Sequence, residues 1–180
     1  MGTRAAIGFR AHSGWAAAVA VTGSLEAPVA AMRRRIEMGL AQPYHAAAQL
    51  AIGEARQLIG ECAASAATMA AAGLRSMIED LRTLGLEVTG CGLLLASGRS
   101  LPALEAILRS HPLIHTAEGE HFRDALRAAA GACGLPLTVV KERDVEIDPR
   151  CAAMGKSTGP PWGQDQKLAA MAGWLALRGS

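Results

Sequence analysis

The sequence predicts an α/β fold built on a mixed five-stranded sheet. A three-strand meander comes first, alternating helices and strands follow, and helices cover both faces. That expectation rests on three features. Short alanine- and valine-rich runs separated by glycine-containing turns open the chain. A long stretch with apolar residues at helical spacing follows them. Beyond it, Gly92-Leu93-Leu94-Leu95-Ala96 is apolar without alternation, as a central strand buried on both faces is. With 51% hydrophobic and 19% charged residues the chain is expected to fold, and its 180 residues suit one domain, 1–180, without repeat or linker.

The elements follow in order. Arg4 to Phe9 is the first strand, Ala11-His12-Ser13-Gly14 a turn, and Trp15 to Thr22 the second strand, ended by Gly23-Ser24. From Val29 to Met38, Met32, Ile36 and Met38 share one face while Arg33, Arg35 and Glu37 take the other, a half-buried strand. Tyr44 to Leu84 reads as helix, with Gly53 or Gly60 as a breaking point and Gly85 as its stop. Leu86 to Leu95 is a strand closed by Ser97-Gly98-Arg99. Helices are expected from Leu101 to Arg109 and from Ala117 to Cys133, then a brief strand from Leu137 to Val140. Arg143 to Gly163, rich in proline and glycine, reads as a loose segment before a final helix over Gln164–Leu177.

Alanine dominates the apolar residues, with only two Phe and one Tyr, so helices should approach one another and the sheet closely. A net charge of +2 is no footprint for nucleic acid, though it allows a local basic patch. Cys62, Cys91, Cys133 and Cys151 lie 18 to 42 positions apart with no CxxC pair, which argues for reduced thiols over a zinc knot or disulfide framework. No stretch reads as a membrane span or signal peptide, and Ala6 breaks the myristoylation pattern begun by Met1-Gly2. A cytoplasmic protein without a membrane partner is expected.

The order of elements is that of the ribonuclease H-like fold, and local text agrees. Ile7-Gly8-Phe9-Arg10 followed by Ser13-Gly14-Trp15-Ala16 resembles the opening hairpin of Holliday-junction resolvases and related predicted nucleases. Gln164-Asp165-Gln166-Lys167-Leu168-Ala169 resembles their last helix, which contributes an acidic metal ligand. The resemblance covers most of the chain as topology and about twenty residues as motif. It implies metal-assisted phosphodiester hydrolysis, with carboxylates holding Mg²⁺ or Mn²⁺. It also implies an acid at the end of the first strand, where Phe9 and Arg10 stand, and another near the end of the central strand, where Ala96 and Ser97 stand. Only Asp165 matches the family pattern. Most of the expected carboxylates are missing.

Other constellations carry weaker chemistry. In His111-Pro112-Leu113-Ile114-His115-Thr116-Ala117-Glu118-Gly119-Glu120-His121, Glu118 and His121 at i, i+3 on a helix would converge on a metal or form an acid/base pair, with His115 joining from the preceding turn. The simpler reading makes Thr116 the helix cap, with Glu118 and Glu120 complementing the dipole. Arg33-Arg34-Arg35, with Arg10, Arg99 and Lys141 as neighbours, either grips phosphate or is a solvated strand face. Gly155-Lys156-Ser157-Thr158 imitates a phosphate loop, but Arg150 replaces its first glycine and Pro160-Pro161 denies the helix. Lys156 and Lys167 could still line a site there. His12-Ser13 lacks the elbow of a nucleophilic serine, and Tyr44 and His45 read as packing or capping groups.

The expectation is a divergent metal-dependent nuclease acting on nucleic acid. Asp165, Glu118, Glu120 and Lys167 are its candidate catalytic residues, and Asp165, Glu118 and His121 its candidate ligands for Mg²⁺ or Mn²⁺. The alternative is a non-catalytic binding or oligomerisation module of the same fold, with a homodimer as the candidate assembly. Half of an actin-like phosphotransferase is a third reading, weakened by the absence of glycine-rich phosphate loops.

Overall fold

The computed structural model describes residues 2–96 and 100–179. Ser97 and Arg99, named above for a strand end and a phosphate contact, lie outside the described residues. Strands β1 (Thr3–His12), β2 (Trp15–Gly23) and β3 (Pro28–Glu37) form the meander. Helices α1 (Pro43–Ala47) and α2 (Ile52–Thr83) lead to β4 (Leu86–Leu95), α3 (Leu104–Leu108), α4 (His111–Ala132) and β5 (Leu137–Lys141). Helices α5 (Pro149–Thr158) and α6 (Gln164–Gly179) close the chain. The sheet order is β3-β2-β1-β4-β5, with the meander antiparallel and β1, β4 and β5 mutually parallel.

Period-two alternation sorts β1 between two cores. Ile7 and Phe9 pack with Leu93 against Leu74 and Met77 of α2 and Phe122 and Leu126 of α4. On the opposite face, Ala17, Val19 and Val21 of β2 pack on Ala169, Ala170 and Trp174 of α6 and on Cys151 and Met154 of α5. Leu94 meets Leu168 and Ala172 on that same face. Helices therefore cover both sides, as the pattern predicts.

The close approach expected from the alanine content is carried by glycine. A Cβ on Gly8 would lie 1.8 Å from the Ala169 carbonyl oxygen, and one on Gly92 would lie 2.0 Å from that of Ala172. No rotamer change relieves an overlap with backbone, so these two positions admit only glycine while α6 lies where it does. The contact fixes the start of α6 over the carboxyl ends of β1 and β4.

Several boundaries depart from expectation, and β1 runs on through Ala11 and His12, which read as turn, because both pair with β2. The long helix is interrupted at 48–51, just before Gly53, so α1 is a separate short helix. Helix α3 is shorter than expected, and Pro102 precedes it. Helix α4 begins at His111, six residues early, because Pro112 sits in its first turn, where a missing N–H costs nothing. Thr116 is therefore not a cap: its hydroxyl donates to the Pro112 carbonyl oxygen at 3.0 Å, one turn back. The segment read as loose contains α5, whose Asp148 side chain accepts from the Arg150 N–H while Pro149 occupies the first turn. The phosphate-loop imitation at 155–158 is the last turn of this helix.

All four cysteines are free thiols; Cys91 and Cys151 are buried and Cys62 and Cys133 partly so. Burial pushes Cys91 up to about 12, with the nearby Cys133 adding to it. Among the described residues, no helix is long and apolar enough to cross a membrane.

Candidate functional site

The parallel strands β1, β4 and β5 deliver their carboxyl ends to one edge of the sheet, the edge where open α/β sheets place ligands. A cleft of about 700 Å³ opens there, lined among others by Arg10, His12, Arg123, Glu142, Arg143 and Gln164. Alternation along β1 puts Arg10 on the same face as Gly8, beneath the start of α6. Its Nη2 donates to Glu142 Oε1 at 2.7 Å and its Nε to Glu142 Oε2 at 3.2 Å, a bidentate fork. Its Nη1 donates to Asp165 Oδ1. The same Asp165 oxygen accepts from His12 Nε2 at 3.0 Å.

Electrostatics follow from that arrangement. The bond to Glu142 holds the Arg10 guanidinium above its ordinary pKa against the opposing effect of burial, and Asp165 adds to the same end. Two carboxylates and one permanent cation thus form a closed group, each between one-fifth and one-third exposed. His12 stacks on Trp15 with ring centroids 4.3 Å apart, and the Arg35 guanidinium lies 4.0 Å over the Trp15 ring. A line of cationic and aromatic groups therefore runs from β3 across β2 to Arg10 on β1.

A hard divalent cation takes six or more oxygen ligands, and Mg²⁺ needs at least one or two carboxylates free to hold it beside its waters. At this edge the described carboxylates are Asp165 and Glu142, and Arg10 engages both. Arg10 and Ala96 stand at the strand ends and supply no acid. The donor set does not fit Mg²⁺ or Mn²⁺, since Arg10 already engages both carboxylates and its permanent charge repels a cation.

The structure does not bring the candidate residues into one site. Asp165 and Glu118 stand on helices packed against opposite faces of the sheet. Glu118, only 3% exposed, accepts from the His45 backbone N–H at 3.1 Å and from His45 Nδ1 at 2.9 Å. Glu120 accepts from Arg123 Nη1 at 3.1 Å and pairs with Arg127 at 3.7 Å, while the Arg123 Nε donates to the Leu94 carbonyl oxygen. His121 is buried edge-on against Tyr44 and Phe122. Burial lowers its pKa, while Asp124 and Glu118 pull the other way. Lys167 is half-buried on α6, two residues beyond Asp165 and near Cys151, whose thiol burial pushes up to about 11 against the charge of Lys167.

The basic run is divided by the strand's pleat. Arg34 turns to Asp80 and Ser76 on α2, while Arg33 donates to the Pro160 carbonyl oxygen on the other face and Arg35 pairs with Glu37. It is not one patch. Glu142, absent from the sequence-derived candidates, had one signal: it is the first residue after the last parallel strand, at the carboxyl edge.

No protein-family model matches the chain, and no curated protein does. Among solved structures, it is similar to T. thermophilus RuvC in complex with a Holliday junction substrate, with a TM-score of 0.54 at 8% identity over 95% of this chain and 90% of that one. A second structure of Thermus thermophilus RuvC gives a TM-score of 0.49 at 10% identity, over 94% and 91% of the two chains. The chain thus has the ribonuclease H-like fold of the Holliday-junction resolvase, with the cation Arg10 at the strand end where the resemblance implies an acid.

Proposed function

We propose that the chain is a nucleic-acid-binding domain of the ribonuclease H-like fold that grips phosphodiester backbone in the carboxyl-edge cleft without hydrolysing it. The observation that carries this reading is Arg10, held between Asp165 and Glu142. The guanidinium stands between the two carboxylates and activates no water, while Arg123 and Arg143 add positive charge to the same cleft. Arginine carries five N–H donors. Three on Arg10 are committed to carboxylates, which leaves donors for a phosphate oxygen. Arg123, Arg143 and His12 line the same cleft. Such contacts position a backbone and carry no sequence information, so binding should follow the shape of the nucleic acid. The RuvC structure of this fold holds a Holliday junction, which makes a four-way junction the first ligand to test.

Fluorescence anisotropy with labelled junction, duplex and single-stranded DNA tests the proposal. Three arginine–phosphate contacts predict a log–log salt slope of about −3 on duplex arms. The same affinity is expected in Mg²⁺ and in EDTA, with no cleavage in Mg²⁺ or Mn²⁺. Metal-dependent cleavage abolished by Asp165→Asn would overturn the proposal and restore the hydrolase. Absence of binding to all three ligands at low salt would also overturn it.

A further inference from the structure

On the α2–α4 side of the sheet, His111 and His115 stand four residues apart on the first turns of α4, on one face of the helix. His45, on α1, is brought against them, with centroid separations of 4.4 Å for His111–His115, 4.8 Å for His45–His115 and 5.4 Å for His45–His111. One ring nitrogen from each lies within 4.8 Å of the other two. A tetrahedral zinc ion holds its nitrogen ligands about 3.3 Å apart, as bond lengths near 2.0–2.1 Å dictate. His111 and His115 are exposed and free to close that difference by small side-chain rotations.

A second observation concerns Glu118. This carboxylate is 97% buried and accepts two bonds from His45, one from the backbone N–H and one from Nδ1. Burying a carboxylate is costly unless its charge is used. An ionised Glu118 only accepts, so the neutral His45 ring that bonds to it carries its proton on Nδ1 and keeps a lone pair on Nε2. Metal-bound histidines are oriented this way, by a carboxylate on the nitrogen away from the metal.

We propose that His45, His111 and His115 form a binding site for a late first-row divalent ion of the Zn²⁺ class, with Glu118 as the positioning residue behind His45. Three imidazoles suit zinc, cobalt, nickel or copper, and not Mg²⁺ or Ca²⁺. Because two ligands stand at the surface, the fourth coordination position faces solvent, open to water or to an anionic group of a ligand. The site lies on the opposite side of the sheet from Asp165 and is independent of the nucleic-acid proposal.

Tag-free protein, stripped with chelator and titrated with Zn²⁺ by calorimetry and with Co²⁺ by absorbance, tests it. One ion per chain is expected, with the visible bands of four-coordinate cobalt. His111→Ala and His115→Ala, at exposed positions and checked for unchanged circular dichroism, should each weaken affinity at least 100-fold. Glu118→Gln should weaken it about 10- to 100-fold, and Asp165→Asn should leave it unchanged. The proposal is overturned if neither metal binds stoichiometrically, or if the double His111→Ala/His115→Ala variant binds as tightly as the parent.

Discussion

The two sides of the sheet treat a carboxylate in opposite ways. At the carboxyl edge, Asp165 and Glu142 are joined by Arg10, a side chain whose charge is permanent and whose geometry matches them both. Across the sheet, Glu118 is joined by His45, which uses one ring nitrogen for the carboxylate and keeps another. An arginine offers a metal no lone pair in any state, and its charge neutralises the carboxylates it holds. A histidine bound to a carboxylate becomes a better ligand. The carboxyl edge, where the resemblance implies metal chemistry, is thus the less suitable of the two regions for a metal.

The largest expected effect comes from Gly8. Gly8→Val drives a side chain into the backbone of α6, and a loss of about 5 kcal/mol, comparable with the stability of a whole domain, is expected. Urea denaturation checks it, and an unchanged midpoint would mean that α6 does not lie on β1 as described. Arg10→Asp has the next largest effect. With the cation gone, three acids face one another, and Mn²⁺ should bind there with a Kd near or below 1 mM, about 4 kcal/mol of new binding free energy. Calorimetry on this variant beside the parent reads the difference. Equal heats from both would show that Arg10 is not what keeps metal out.

Glu118→Ala leaves the His45 N–H and ring without their buried partner, and should destabilise the fold by about 2 kcal/mol in thermal or urea unfolding. A neutral result would remove the positioning role of Glu118. The smallest effect concerns His121. Burial lowers its folded pKa below 6.5, so the unfolded chain takes up the proton first on acidification. Stability from this group is complete above pH 6.5 and falls as the pH drops from there to the lower folded value. His121→Phe should flatten the pH profile of the unfolding midpoint in that window while leaving neutral-pH stability intact. A profile identical to the parent would assign the titration elsewhere.

Much of the architecture was legible. The apolar run before Ala96, the alternation in β3 and the glycine after the long helix each reported a local requirement that the structure meets. Helix α5 is hidden in the sequence by prolines and glycines that suit a loop equally well, although Asp148-Pro149 is also a cap followed by a first-turn proline. The segment from His111 to His121 reads as the densest polar cluster in the sequence, but its partners across the fold are not legible there. Glu118 and His121 were expected to share a ligand, while the structure turns Glu118 to His45 and buries His121 against Tyr44. His45 itself, read as a packing or capping group, carries the contact that gives Glu118 its role.

From the sequence alone follow the order of the elements and the face each residue takes within its own strand or helix, because pleat and helical turn are local geometry. The sequence placed Arg10 at the end of β1 and Asp165 at the start of α6. Only the tertiary structure decided that Arg10 meets an aspartate 155 positions away and a glutamate 132 positions away, or that His45 meets His111 and His115. Which elements become neighbours depends on how sheet order and close glycine contacts bring their ends together, and no periodicity within one element records that.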